Sequence, residues 1–117
     1  MVYEQYDKAT SHMSAFAILS PSGEYVARVV IKYPKDGAGR LRCYFQAFGS
    51  HMVSGSASGY GYDKAHAAME SACMAYAKAS DTVAHGANIA SAINNTSDGK
   101  RWQHVIEDAG YRVLSVI

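Results

Sequence analysis

The residues best suited to chemistry lie in one glycine-rich run, GSASGYGYDK from Gly55 to Lys64, which leads into a predicted helix. The free amides and the dipole at a helix start favour anions, so one interpretation is a phosphate or nucleotide site. The run lacks the Walker pattern, and Lys64 stands where a dinucleotide-binding loop has its third glycine. The alternative is structural: the glycines supply turns and Asp63 caps the helix.

The same segment also has the composition of a contact surface. Tyrosine gives a large amphipathic contact area at low entropic cost, while serine and glycine let the backbone adapt. We therefore predict a partner-binding surface made of Tyr60, Tyr62, Ser56, Ser58 and Lys64. The alternative for either tyrosine is that its ring packs over the helix start.

A second candidate surface combines basic and aromatic residues on strands. Arg28, Lys32, Arg42 and Tyr44 share the sheet face turned away from the helices if the alternation of the strands is read correctly. Such a face can stack on and neutralise single-stranded nucleic acid, although an ordinary solvent face of an antiparallel sheet looks similar. A net charge of +1 argues against a duplex-binding domain, which needs a clear basic excess.

The sequence predicts no active site, metal or cofactor. The histidines show no two-ligand spacing on one helical face, and neither Cys43 nor Cys73 has a CxxC partner. His66 and Glu70 have the helical spacing of a base and its orienter, which is also that of a solvated pair. Acidic residues are sparse, which disfavours a two-carboxylate hydrolase. We expect a non-enzymatic protein whose cysteines are buried and apolar in character.

These residues must be positioned by one α+β domain over residues 1–117, with residues 1–14 loosely ordered. A turn at Ser20–Gly23 joins the first two strands, and the odd-numbered residues of the second and third strands, Tyr25 included, are predicted to face the core. Strands are predicted at Ala15–Leu19, Tyr25–Tyr33, Leu41–Phe48 and, as an edge or bulged strand, His51–Ser58.

The second half of the chain predicts helices and a closing strand. A main helix runs from Lys64 and ends at His85 and Gly86, a short one covers Asn88–Asn95, and another covers Lys100–Ala109. Tyr111–Ile117 carries aliphatic residues on both faces, which predicts a central strand. The predicted fold is an antiparallel meander of three to four strands, then a long helix, one or two shorter helices and a C-terminal strand returning to the sheet.

Two stretches, SGSASGYGYDKAHAA over Ser54–Ala68 and RWQHVIEDAGYRVLSVI over Arg101–Ile117, resemble small uncharacterised accessory proteins of phages and prophages. Proteins of this kind often look like counter-defence factors, anti-CRISPR proteins among them, which occupy a surface on a host nuclease complex. The resemblance implies a non-enzymatic inhibitor that acts by protein–protein contact in the cytoplasm of a bacterial host. Its partner would be a host protein or ribonucleoprotein complex.

Two other hypotheses stay open at this point. One is a nucleotide- or nucleic-acid-binding protein that sequesters its ligand at the Gly-rich turn, and the other is a minor assembly protein. No apolar run approaches the roughly 18 residues of a membrane span, and MVYEQYDKAT lacks the apolar core of an export signal. An exposed strand at Ser50–Ser58 can pair with its copy in a second chain, so a homodimer is one option.

Overall fold

Alternating apolar and polar residues form a five-stranded antiparallel sheet in the computed structural model, which describes residues 11–34, 40–58, 62–96 and 101–116. The spatial order of the strands is β4-β3-β2-β1-β5. Residues 11–14, which were expected to be loosely ordered, belong to the first strand. The strands are β1 Ser11–Leu19, β2 Tyr25–Pro34, β3 Arg40–Ala47, β4 Val53–Ser58 and β5 Arg112–Ser115.

The predicted inward and outward faces of β2 and β3 are confirmed, except at one end. The buried residues alternate along both strands: Ala27, Val29, Ile31, Leu41, Cys43, Phe45 and Ala47. Tyr25 was predicted to face the core, and that prediction was wrong because its side chain is 53% exposed. The register of β1 and β2 shifts between Ile18 and Leu19, beside Tyr25. The Tyr25 ring packs edge-on against Phe48 instead, with 4.6 Å between ring centroids.

Three helices pack on the core face of the sheet in the described part of the chain: α1 Tyr62–Ala77, α2 Ala84–Asn94 and α3 Trp102–Asp108. The prediction of one helix from Lys64 to His85 was wrong, because α1 ends at Ala77. His85 and Gly86 lie in the first turn of α2. The Val83 amide donates to the Tyr76 hydroxyl at 2.8 Å, and this bond closes the connection between the two helices.

Small residues let α1 approach the sheet closely. Ala65, Ala68 and Ala72 are buried on α1, and Gly55 of β4 lies directly beneath them. A Cβ added at Gly55 would collide with the backbone of α1, so this glycine is required for packing. The helix begins at Tyr62, which places Asp63 in its first turn instead of at the predicted cap position.

The C-terminal strand returns to the sheet as predicted, but it lies at an edge. β5 pairs with β1 alone, with Val113 opposite Ile18 on the core side. Leu114 and Val116 are exposed, which contradicts the predicted central position of this strand. Gly110 ends α3 with a φ of 102°, in the left-handed region that glycine adopts readily. The predicted α+β class, a meander followed by helices and a returning strand, is confirmed.

Candidate nucleic-acid interface

The sheet brings the predicted basic and aromatic residues together on the face opposite the helices. Lys32 lies opposite Arg42, and Val30 lies opposite Tyr44 in the β2–β3 register. Since side chains at every second residue share a face, Arg28 joins this set one step further along β2. Arg28 and Arg42 are exposed, while Lys32 and Tyr44 are half-buried. We call this surface the open face.

Strand β4 adds a row of serines to the open face. Ser54, Ser56 and Ser58 lie opposite Tyr44, Arg42 and Arg40 of β3, respectively. The Arg40 guanidinium donates to the Ser56 hydroxyl at 3.0 Å and to the Ser58 hydroxyl at 3.1 Å. Two residues that were predicted to bind a partner through a flexible segment are therefore strand residues that orient an arginine.

Arg40 itself was not among the predicted site residues. It precedes the predicted start of the third strand at Leu41, next to a glycine-containing loop, so the predicted alternation stopped one residue short of it. The structure begins β3 at Arg40, which has the same parity as Arg42 and Tyr44. Extending the strand by one residue is the signal that could have found it.

One depression in the open face has a volume of about 340 Å³. Most of its lining is apolar, and Arg28, Lys32 and Gln46 supply its polar groups. The Gln46 side-chain amide donates to the Ser50 carbonyl at 3.5 Å, which leaves its carbonyl oxygen as an acceptor. The apolar lining consists of Met13, Val30, Tyr44 and Met52.

The second depression, of about 410 Å³, lies at the β4 edge and is mostly polar. Tyr44 borders both depressions, so its ring stands between an apolar and a polar space. The remaining lining residues of the second depression are Arg40, Arg42, Ser54, Gly55, Ser56 and Ser71.

The described side chains place no carboxylate on the open face. The open face carries the cations Arg28, Lys32, Arg40 and Arg42. The carboxylates whose side chains the structure describes lie in a turn, in the α1–α2 connection or on helices: Glu24, Glu70, Asp81, Glu107 and Asp108. The net charge of the chain is only +1, but the open face is locally basic. A polyanion would be attracted to this face more strongly than to the sides that carry these carboxylates.

The predicted tyrosine surface lies largely beyond what the structure describes. Tyr60 lies outside the described residues, and so does the side chain of Tyr62, although the backbone of Tyr62 begins α1. Lys64 is exposed on α1, seven residues before Ser71 and therefore on the same side of the helix. The predicted phosphate loop from Gly55 to Lys64 begins as strand, because Gly55 to Ser58 belong to β4, and residues 59–61 lie outside the description.

The described thiols are not suited to nucleophilic chemistry. Cys43 and Cys73 are both buried and free, as predicted, and the Cys43 thiol lies 3.6 Å from the Met69 sulfur. Burial raises the pKa of Cys43 to about 12. Burial also raises the pKa of Cys73, with a smaller contribution from the neighbouring Cys43. A thiolate is the reactive form, so both groups are inert near neutral pH.

The remaining predicted pair, His66 and Glu70, does not form a base with its orienter. Nδ1 of His66 is buried and has no hydrogen-bond partner among the residues the structure describes, Glu70 included. The bond from Nδ1 to Glu70 that would orient the ring is therefore not formed among the described residues, and this pair does not support a catalytic site.

Comparison with protein-family models, curated proteins and solved structures found no match for this chain. The resemblance to phage accessory proteins stays a prediction. Among the helices described here, none is long and apolar enough to cross a membrane. Function must therefore be argued from the open face.

Proposed function

We propose that this protein is a non-enzymatic binding protein that holds single-stranded nucleic acid on the open face of its sheet. The observation that supports this function is the position of Tyr44 between two sets of cations. Arg42 and Lys32 form one row across the strands, Tyr44 lies in the next row, and Arg28 in the row after that. Successive rows are about 7 Å apart, because two strand residues separate them.

This arrangement suits a single strand better than a duplex. A base can stack on the half-buried Tyr44 ring only when it is unpaired and accessible, and each stacked base contributes about 1–3 kcal/mol. Duplex DNA is read by a helix or ribbon that enters a groove. The open face is a broad sheet surface, and α1, α2 and α3 all lie behind it.

The cations define the electrostatic part of the proposal. If Lys32, Arg40 and Arg42 each contact one phosphate while Arg28 contacts a base, about 0.7 per phosphate contact gives a slope of about −2.1 for log affinity against log salt. Binding should therefore weaken markedly between about 50 and about 200 mM salt. The change in this slope between a variant and the wild type gives the number of phosphate contacts that the variant has lost.

The test is fluorescence anisotropy with labelled oligothymidylate and oligouridylate across that salt range. The variant Arg28→Ala/Arg42→Ala should weaken binding and flatten the slope by about 0.7, since Arg42 supplies one phosphate contact and Arg28 a base contact. The matched control Lys78→Ala/Arg101→Ala removes the same charge from exposed positions just after α1 and just before α3. It should leave the affinity and the slope close to those of the wild type.

Tyr44→Ala should weaken binding by the loss of one stacked base without changing the slope. Tyr25→Ala is its control, because that ring is exposed at the end of β2 and does not line either depression. The proposal is wrong if neither oligonucleotide binds at low salt, or if the control variants weaken binding as much as the open-face variants.

The predicted role as an inhibitor of a host defence complex would depend on different residues. A protein partner held by the Gly/Ser/Tyr segment would depend on Lys64 and not on Arg28 or Arg42. Loss of a host partner in a Lys64→Ala variant alone would therefore favour that prediction. In a bacterial cytoplasm, the open face would meet single strands as transcripts or as intermediates of phage replication.

A further inference from the structure

The depression in the open face and the depression at the β4 edge differ in chemistry and share one wall. One is largely apolar with a few hydrogen-bonding groups, and the other is lined mainly by arginines and serine hydroxyls. Tyr44 borders both. A nucleotide combines the same two kinds of surface. Its base has flat apolar faces with hydrogen-bonding groups at the edge, and its phosphate is anionic.

We infer that the open face holds one guanine nucleotide of a single strand across Tyr44, with the base in the first depression and its phosphate in the second. The inference rests on the proposed function and names the nucleotide that the site prefers. It also sets the path of the strand, which crosses β2 and β3 toward the β4 edge.

The polar groups of the first depression favour guanine among the four bases. Arg28 and Gln46 lie directly opposite each other in the β2–β3 register. The guanidinium fork of an arginine matches the adjacent O6 and N7 acceptors, which only guanine presents. The Gln46 amide nitrogen is engaged with the Ser50 carbonyl. The side-chain carbonyl oxygen of Gln46 can therefore accept a hydrogen bond from the N1–H or N2–H of the guanine base.

The groups around the second depression favour a phosphate. The Arg40 guanidinium is held along β4 by its bonds to Ser56 and Ser58, so less side-chain freedom is lost when a ligand binds. Arg42 lies on the same side of β3 and is exposed. Ser54 and Ser71 add hydroxyls that can donate to phosphate oxygens.

The experiment uses four labelled oligothymidylates that differ at one central position, which is guanine, adenine, cytosine or thymine. The wild type should bind the guanine probe about tenfold more tightly than the other three. Arg28→Lys keeps the charge but removes the fork, and Gln46→Ala removes the acceptor. Each should bring the four affinities together while the salt slope stays unchanged.

Arg42→Ala probes the phosphate half of the inference. It should weaken all four probes alike and flatten the salt slope by about 0.7, which is one phosphate contact on a single strand. Circular dichroism and thermal unfolding of each variant establish that the fold is kept. An unchanged slope in this variant would overturn the phosphate assignment.

The outcomes separate the inference from the proposed function. Equal wild-type affinity for the four probes, with binding still lost in Arg28→Ala/Arg42→Ala, would overturn the guanine assignment and leave the nucleic-acid function standing. A guanine preference that survives Arg28→Lys and Gln46→Ala would also overturn it. No binding of any probe would overturn the function and the inference together.

Discussion

The ring of Tyr76 lies against the α-carbon of Gly86, so closely that a Cβ at position 86 would overlap the Tyr76 ring and hydroxyl. The Tyr76 hydroxyl accepts a hydrogen bond from the Val83 amide at 2.8 Å and lies 3.0 Å from the Ser50 hydroxyl. The Ser50 hydroxyl in turn lies 2.9 Å from the Ala47 carbonyl. One buried side chain thus joins the end of α1, the start of α2 and the β3–β4 turn.

Tyr76→Phe should lower the free energy of unfolding by about 1–3 kcal/mol, because it leaves the partly buried Val83 amide without a partner and removes one of the two bonds of the buried Ser50 hydroxyl. Urea unfolding followed by circular dichroism measures the change. Tyr25→Phe removes the same hydroxyl from an exposed ring and should be nearly neutral. Equal stability of the two variants would show that the hydroxyl of Tyr76 does not hold the helix junction.

Gly55→Ala should destabilise the fold by about 3 kcal/mol, at the upper end of the usual range for overpacking. The atoms that a new methyl group would meet belong to the backbone of Ala68, Ser71 and Ala72, which cannot rotate away. Ser54→Ala is the control, since its side chain points to the open face of the same strand. Urea unfolding of both variants is the measurement, and a Gly55→Ala protein as stable as wild type would mean that α1 can shift outward.

The sheet could be predicted from the sequence because its signal is local. Period-two alternation in β2 and β3 placed Val29 and Phe45 inside and Arg28 and Tyr44 outside, and the structure confirms each position. The same alternation identified four residues of the open face, namely Arg28, Lys32, Arg42 and Tyr44. Met52 was placed within the predicted strand His51–Ser58 without a face being assigned to it, whereas β4 begins one residue later, at Val53.

The helix break and the edge position of β5 could not be predicted because they depend on distant contacts. The residues after Ala77 include alanine, lysine and serine, which a helix accepts. The chain leaves the helix there because Tyr76 binds Val83 and Asp81 binds His51 across the sheet end. For β5, aliphatic content indicated a strand, but its neighbour β1 is set by the whole topology.

The bond between Asp81 and His51 predicts a loss of stability in acid. Oδ2 of Asp81 accepts from the His51 backbone amide at 2.8 Å and lies 2.5 Å from Nδ1 of the His51 ring. The amide bond, and next the contact with the His51 ring, lower the pKa of Asp81 from its ordinary value of 3.8. A carboxylate whose pKa is lower in the folded state stabilises the fold above its unfolded pKa. That stabilisation is lost as the pH falls through the folded pKa.

Asp81→Asn should therefore flatten the pH dependence of stability below about pH 5, where an unfolded aspartate starts to bind protons. The urea midpoint of the wild type should fall further than that of Asp81→Asn as the pH decreases from about 6 to about 3. Glu107→Gln removes an exposed carboxylate from α3 and is the control for general acid effects. If wild type and Asp81→Asn lose stability in parallel, the His51 contact makes no contribution in solution. The α1–α2 connection would then be held by Tyr76 alone.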